Sequence, residues 1–149
     1  MELEQAFEQV ELGKLEAHPQ NRRSGDVDLI SSSIRVNGFF GAIVAQRSTG
    51  RILAGNHRWK AAKEEGKETV PVAWVDVDDE HALRILLADN RTNDVASYDE
   101  SQLASLLVEL NESCGLEGTG YKSEDLEKLL TEVSPEPEPS QSQDERDAE

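Results

Sequence analysis

The strongest constraint on the fold is a run in which a strand pattern passes through a glycine directly into a helix. Residues Arg51–Ala54 alternate as a strand does, Gly55 then opens the helical stretch Asn56–Ala62, and Gly66 can end that helix. Free N–H groups and the helix dipole attract anions to a helix N-terminus, and Arg58 adds a forked cationic donor. The run therefore predicts an anion-binding turn between a strand and a helix.

The charge distribution agrees with an anionic ligand at this turn. The chain has a formal net charge of −16, yet residues 18–67 carry nine Lys/Arg and four Asp/Glu, a local balance of +5. The remaining residues therefore carry −21. A positive segment in an acidic protein suits a small anion such as a nucleoside triphosphate, and it tolerates a weak DNA contact. The alternative interpretation is that these basic side chains form ordinary solvated faces.

Helical and strand patterns alternate along residues 10–97, which predicts an α+β domain. Gly38 ends the first helix, Ser24 or Asp26 can cap it, and Ser48–Gly50 suggests a hairpin. The predicted elements are, in chain order, a strand at Val10–His18, a helix at Asp26–Asn37, strands at Ile43–Gln46, Arg51–Leu53 and Val70–Val77, and a helix at Asp79–Thr92.

The two ends of the chain differ from this domain. Residues 1–9 are acidic and predicted to be flexible, and residues 134–149 are predicted to form a disordered acidic tail rich in Pro, Glu and Ser. Between them, residues 98–133 predict a helical extension with a leucine stripe and a last helix from Ser123. Acidic side chains on both helices argue against a DNA-reading helix-turn-helix there.

Composition excludes several classes of protein. Cys114 is the one cysteine, so neither a disulfide framework nor a multi-cysteine metal site is possible. No apolar run approaches the length of a membrane span, and the acidic N-terminus does not resemble a signal peptide. We therefore expect a cytoplasmic protein without a membrane contact.

Several short motifs resemble, in order and spacing, the ParB N-terminal domain, a fold shared with sulfiredoxin and also called the ParB-like nuclease domain. The resemblance runs from about Val10 to Asn93 and implies a small mixed sheet with packed helices. Thr119-Gly120-Tyr121 is similar to a turn in the extension of phage- and methyltransferase-linked members. The matching motifs are His18–Arg23, Ser33–Gly38, Ile43-Val44, Gly55–Arg58, Val70–Val72 and Leu87–Asn90.

The resemblance implies a ligand role for a defined set of residues. The motif that holds nucleotide phosphates in the family corresponds to Gly55, Asn56, His57 and Arg58, and the first motif, which contacts base or phosphates, to Gln20, Arg22 and Arg23. The pair Asp89 and Asn90 resembles one that helps to hold a metal–triphosphate, and both offer hard oxygen ligands for Mg²⁺. Asp89 and His57 are the candidate catalytic residues.

Three positions refine these expectations. Asn56 stands where sulfiredoxin has its catalytic cysteine, which excludes that thiol chemistry. The family's arginine after the Asp-Asn pair is replaced by Asn93, with Arg91 the nearest substitute. Asp89 falls near the C-terminal end of its predicted helix, where the dipole disfavours a negative charge unless a cation is bound.

The expected function is binding of a nucleoside triphosphate with Mg²⁺, possible hydrolysis, and a role in phage or plasmid DNA metabolism or regulation. The resemblance favours CTP over ATP. A metal-dependent DNA nuclease, a free-serine kinase and a nonenzymatic interaction module remain alternatives. The expected partners are the nucleotide, a weak DNA contact through residues 18–67, and a second copy or another protein at the helices of residues 98–133.

Overall fold

The computed structural model describes residues 2–21 and 25–133, which form strands and helices in the α+β arrangement predicted from the sequence. The chain divides into two compact units between Ala96 and Ser97. The elements are β1 (Gln5–Glu11), a 3-10 turn (Leu12–Lys14), β2 (Glu16–Ala17), α1 (Val27–Asn37), β3 (Ile43–Gln46), β4 (Arg51–Ala54), α2 (Asn56–Glu64), β5 (Thr69–Val75), α3 (Asp79–Val95), α4 (Glu100–Ser113) and α5 (Ser123–Val133).

The first unit contains a mixed sheet of five strands in the order β1-β5-β3-β4-β2. Strands β3 and β4 pair antiparallel, which confirms the predicted hairpin, and Thr49 closes its turn by donating to Gln46 Oε1 at 2.7 Å. β3 pairs parallel with β5, and β1 pairs antiparallel with β5. Because β5 lies between two strands, side chains on both of its faces are buried, which agrees with its nearly continuous apolar sequence.

The start of the chain differs from the sequence-based prediction. Residues 1–9 are predicted to be flexible, but Gln5–Glu11 forms strand β1, so that part of the prediction is wrong. The predicted strand Val10–His18 is also wrong, because the chain passes there through the 3-10 turn and the short β2. An edge strand needs few apolar residues when its backbone is paired, and only Val10 of β1 is buried. The predicted acidic tail at residues 134–149 lies outside the described residues.

Two hydrophobic clusters cover opposite faces of the sheet. One joins α1 and α2 to the sheet and includes Ile34, Ile52, Trp59 and Val72. The other joins Leu53 and Val75 to Ala82 of α3. Ile52 and Leu53 are neighbours in β4 and enter different clusters, because successive strand side chains point to opposite faces. Helices α2 and α3 therefore lie on opposite faces of the sheet, and both reach β4.

The caps of the first unit follow the sequence closely. Asp26 caps α1 by accepting from Leu29 N at 3.1 Å, and Ser24, the alternative cap, lies outside the described residues. Asp78 caps α3 by accepting from His81 N at 2.8 Å. Such side-chain acceptors satisfy N–H groups that have no partner within the helix. The helix starts predicted from the sequence are therefore correct to within a residue.

The second unit has its own core between α4 and α5. Leu107, Leu116 and Leu126 are buried together, and Tyr121 packs against them. Asp99 caps α4 through the backbone N–H groups of Ser101 and Gln102. In the described ranges, no helix combines the length and apolar character that a bilayer crossing requires.

Candidate functional site

The turn between β4 and α2 is fixed by a glycine. Gly55 has φ +99°, and a Cβ at this position would lie 3.1 Å from Ile43 Cγ1. Only glycine adopts this backbone freely, so Gly55 lets the strand turn at once into the helix. The first backbone hydrogen bond of α2 runs from Trp59 N to Gly55 O at 2.9 Å. The N–H group of Trp59 is therefore the first in α2 to find its partner inside the helix, as expected at a helix N-terminus.

A cavity of about 460 Å³ opens at this helix N-terminus. Its volume falls within the range of small-molecule sites, about 300–1,000 Å³. The wall combines an apolar floor from the sheet with polar side chains from α2, α3 and the turn before α1. The lining residues are Asn21, Ile30, Ala42, Val44, Leu53, Ala54, Gly55, Asn56, His57, Arg58, Asp89, Asn90 and Asn93.

Asp89 and Asn90 of α3 line the same cavity as Gly55–Arg58, although about thirty residues separate the two motifs in the sequence. The helix continues to Val95, beyond the predicted end at Thr92. Asp89 thus lies more than one turn from the helix end, where the dipole no longer acts strongly, so the dipole-based expectation for this carboxylate is wrong. Asn93 also lines the cavity, and its spacing of four residues from Asp89 is the helical signal that could have identified it.

Arg58 lies at the cavity wall and contacts the loop between α1 and β3. Its Nη1 donates to the carbonyl oxygen of Phe40 at 3.3 Å, and its guanidinium carbon lies 5.1 Å from the centroid of the Phe40 ring. Arg58 also lines the cavity at the start of α2. This arrangement can receive an anion from the helix end and from the side chain together.

His57 and Asn56 occupy different surroundings at the same turn. A Cβ on Gly25 would lie 2.9 Å from His57 Nδ1, so the imidazole packs closely against the backbone that leads into α1. Asn56 is 8% exposed, and its Oδ1 has no hydrogen-bond partner among the described residues. A buried amide oxygen left without a donor is unfavourable, by about 1–3 kcal/mol. Asn56, which lines the cavity, therefore carries a buried acceptor that has no donor among the described residues.

The turn of the first motif is held by a buried histidine. His18 Nδ1 accepts from Gln20 N at 3.0 Å, and His18 O accepts from Asn21 N at 3.0 Å. Burial, together with the charge of Arg51, lowers the pKa of His18, and Asp79 only partly opposes that shift. A neutral imidazole is required for Nδ1 to accept. These bonds place Asn21 in the cavity wall.

Some predicted site residues are not brought to this cavity. Gln20 is exposed in the turn, and Arg91 is exposed on α3. Because each helical residue is rotated by about 100° from the last, Arg91 faces away from the side that carries Asp89 and Asn93. Arg22 and Arg23 lie outside the described residues. Arg35, which is part of a motif, instead forms a bidentate pair with Glu65 at 3.2 and 2.8 Å.

The described cavity wall is rich in amides and carries little charge. Asn21, Asn56, Asn90 and Asn93 each offer both donors and acceptors, whereas the charged groups of the wall are Arg58 and Asp89. No group of three or more His, Cys, Asp or Glu close enough to hold a metal occurs in the described ranges. Mg²⁺ often binds proteins through one or two carboxylates while phosphates and waters complete its shell. Asp89 beside Asn90 fits that mode of binding.

Comparisons with known proteins agree with this fold. The family model of the ParB N-terminal domain matches residues 3–91. The chromosome-partitioning protein ParB of Caulobacter vibrioides is 31% identical over 93 residues, which cover 58% of this chain and 31% of the relative. The chain therefore spans about a third of the length of the curated relatives that it matches.

Two solved structures resemble the chain. The C-terminally truncated chromosome-partitioning protein ParB from Caulobacter crescentus, complexed with CTP-gamma-S, has a TM-score of 0.63 at 24% identity, covering 84% of this chain and 71% of that one. The Pnob8-like ParB-N domain has a TM-score of 0.54 at 16% identity, covering 91% and 64%. Because the family model matches residues 3–91, more than half of the chain, the chain belongs to the ParB N-terminal domain family.

Proposed function

We propose that this protein binds a nucleoside triphosphate, CTP in preference to ATP, in the cavity at the N-terminus of α2. The observation that carries the proposal is the convergence of the Gly55–Arg58 turn with Asp89 and Asn90 in one cavity. Support for a cytidine nucleotide comes from the similar ParB structure that is complexed with CTP-gamma-S.

The phosphates occupy the side of the cavity formed by α2 in this proposal. The N-terminus of α2 and the Arg58 guanidinium would provide donors, and the first turn of α2 contains no acidic residue that would repel the ligand. The amides of Asn21, Asn90 and Asn93 provide further neutral donors and acceptors for sugar or base. His57 lies where it can donate to a phosphate oxygen.

Asp89 and Asn90 are the residues that would hold Mg²⁺ with the phosphates. The ion would neutralise phosphate charge that Arg58 alone cannot balance. Asp89 would otherwise face the phosphates with the same sign of charge. Whether bound nucleotide is hydrolysed is a separate property, for which Asp89 and His57 are the candidate groups.

The biological role that we propose is in phage or plasmid DNA metabolism or regulation. Its support is the membership of the ParB N-terminal domain family and the similarity to chromosome-partitioning proteins. A DNA contact of this chain would use the basic residues of the segment 18–67.

Calorimetric titration with CTP, ATP and GTP in the presence of Mg²⁺ tests the proposal. We expect CTP to bind most tightly and Arg58→Ala to weaken binding by about 1.5–3 kcal/mol, the range for a hydrogen bond to a charged group. The matched control is Arg84→Ala, which removes an exposed arginine paired with Glu80 outside the cavity. If Arg58→Ala and the wild type bound the nucleotide with equal affinity, Arg58 would not be a ligand-binding residue.

A further inference from the structure

The loop between α1 and β3, residues 38–42, is here called the Phe40 loop. It carries two adjacent aromatic residues in different surroundings. Phe39 packs against the main hydrophobic cluster, whereas Phe40 is 57% exposed. The Phe40 ring therefore lies outside the core that holds Phe39.

The Phe40 ring and backbone both contact one cation. The Arg58 guanidinium carbon lies 5.1 Å from the ring centroid, within the distance of a cation–π interaction. The same guanidinium donates from Nη1 to Phe40 O at 3.3 Å. One residue thus contacts Arg58 through two different groups, which restricts the rotamers that this long side chain can adopt.

Gly41 makes this contact possible. A Cβ at Gly41 would lie 2.7 Å from Arg58 Nη1, closer than a real side chain allows. The backbone there also has φ +81°, a conformation that favours glycine. The absence of a side chain at Gly41 leaves the space that the guanidinium fills.

We propose that Phe40 and Gly41 are positioning residues that hold the Arg58 guanidinium toward the phosphates of the bound ligand. This inference rests on the nucleotide binding proposed above and specifies how the site is preorganised. Arg58 has five N–H donors, and the bond to Phe40 uses one of them. A guanidinium already held on a ring loses less conformational freedom when it binds a phosphate.

The first test compares two ligands across variants of Phe40. Mg²⁺–CTP presents base, sugar and phosphates, whereas sodium tripolyphosphate presents phosphates alone. We expect Phe40→Leu to weaken both ligands by about two- to five-fold, the equivalent of an exposed cation–π interaction. Phe40→Tyr keeps a ring and should retain wild-type affinity for both.

The second test uses two glycines of the same loop with similar positive φ angles. Gly38 has φ +87°, and a Cβ there would have no heavy atom within 4 Å, whereas a Cβ at Gly41 would meet Arg58. Both alanine variants strain the backbone, but only Gly41→Ala should displace the guanidinium. We expect Gly41→Ala to weaken both ligands more than Phe40→Leu does, and Gly38→Ala to bind them as wild type does.

The third test asks whether Phe40 acts through Arg58. In the Arg58→Ala background, Phe40→Leu should cause no further loss of affinity. A loss confined to CTP, or one that persists without Arg58, would mean that the ring contacts the ligand itself and would overturn the proposal. Unchanged affinity in Phe40→Leu and Gly41→Ala, with tight binding by wild type, would overturn this inference alone. Failure of the wild type to bind either ligand would instead overturn the proposed function and this inference together.

Discussion

His18 is a buried titratable group whose neutral form holds the turn beside the cavity. Its pKa is lowered in the folded protein by burial and by Arg51, so the folded state binds a proton less readily than the unfolded chain. The unfolded chain therefore takes up more protons as the pH falls below about 6.5, the ordinary histidine pKa. The stability contributed by neutral His18 is complete above that pH and is lost as the pH falls through the lowered pKa.

We accordingly expect the wild-type protein to lose stability when the pH is lowered from about 7.5 to about 5.5, on either side of the ordinary histidine pKa. Gln at position 18 can still accept the backbone N–H but does not titrate in this range. His18→Gln should thus lose less stability over the same interval. Urea unfolding at both pH values measures the difference, and an identical loss in both proteins would contradict the role assigned to His18.

Gly55 is the residue on which the strand-to-helix turn depends. Gly55→Ala should destabilise the protein by more than the roughly 1–2 kcal/mol that a left-handed backbone costs an L-residue. The additional loss comes from the contact of the new Cβ with Ile43. Gly66→Ala is the matched control, because Gly66 has φ +78° and open space around a Cβ. Equal free energies of unfolding for the two variants would show that the Ile43 side chain can move away from the new Cβ without loss of stability.

At the scale of elements, the cavity depends on two helices that lie on opposite faces of the sheet and meet at β4. Ile52 packs in the cluster that contains residues of α2, and Leu53 packs in the cluster on the other face, which contains Ala82 of α3. The start of α2 and the later turns of α3 then both border the cavity, beside Ala54 and Gly55 at the end of β4. The anion-binding turn and the candidate metal ligands come together for that reason.

Helix α3 supplies a prediction about Mg²⁺. A ligand that binds only the folded state raises the melting temperature by mass action. We expect CTP with Mg²⁺ to raise it and EDTA to remove most of the rise. Asp89→Asn should have the same effect as EDTA. Because Asp89 lies away from the helix end, this change should alter the stability of the ligand-free protein little.

Asp94→Asn provides the control for that experiment, since Asp94 lies on α3 but does not line the cavity. It should keep both the nucleotide-induced rise and its sensitivity to EDTA. A rise that EDTA leaves intact would show that Asp89 and Asn90 have a structural role and hold no metal.

At the scale of the whole molecule, charge limits what the chain can do with DNA. Outside residues 18–67, which carry a positive balance, acidic residues are in excess, and residues 97–133 alone contain nine Asp/Glu against two Lys. DNA affinity should therefore be weak, because only a few phosphates can be neutralised, and added salt should weaken it further, because the contact is electrostatic.

The same charge balance and the single carboxylate of the described cavity wall lead us to expect that supercoiled plasmid remains uncut with Mg²⁺ or Mn²⁺. Agarose electrophoresis of purified protein with plasmid measures this. Cleavage that copurifies with the protein and disappears in Asp89→Ala and His57→Ala would favour the nuclease alternative over nucleotide binding.

The sequence by itself determined the elements whose signals are local. Gly55 between a strand pattern and a helix pattern, Ser24 or Asp26 as the cap of α1, and Ser48–Gly50 as a hairpin are each decided by the chemistry of neighbouring residues. The α+β class follows from the order of these elements, and the family resemblance rests on the order and spacing of short sequence motifs. The strand at Gln5–Glu11 is not predicted from the sequence, because this strand is stabilised by backbone pairing with β5. The mostly polar residues of the segment give no sign of that pairing.

Only the tertiary structure decided which residues share the cavity. Asn93 and Asn21 enter the wall through the rotation of α3 and the turn held by His18, whereas Arg91 and Gln20 do not, although they adjoin predicted ligands in sequence. The contact of Arg58 with Phe40 joins residues 18 positions apart, and only the packing of α2 beside the loop creates it. Local chemistry sets the turns and caps, but side-chain direction at a site depends on how the elements pack.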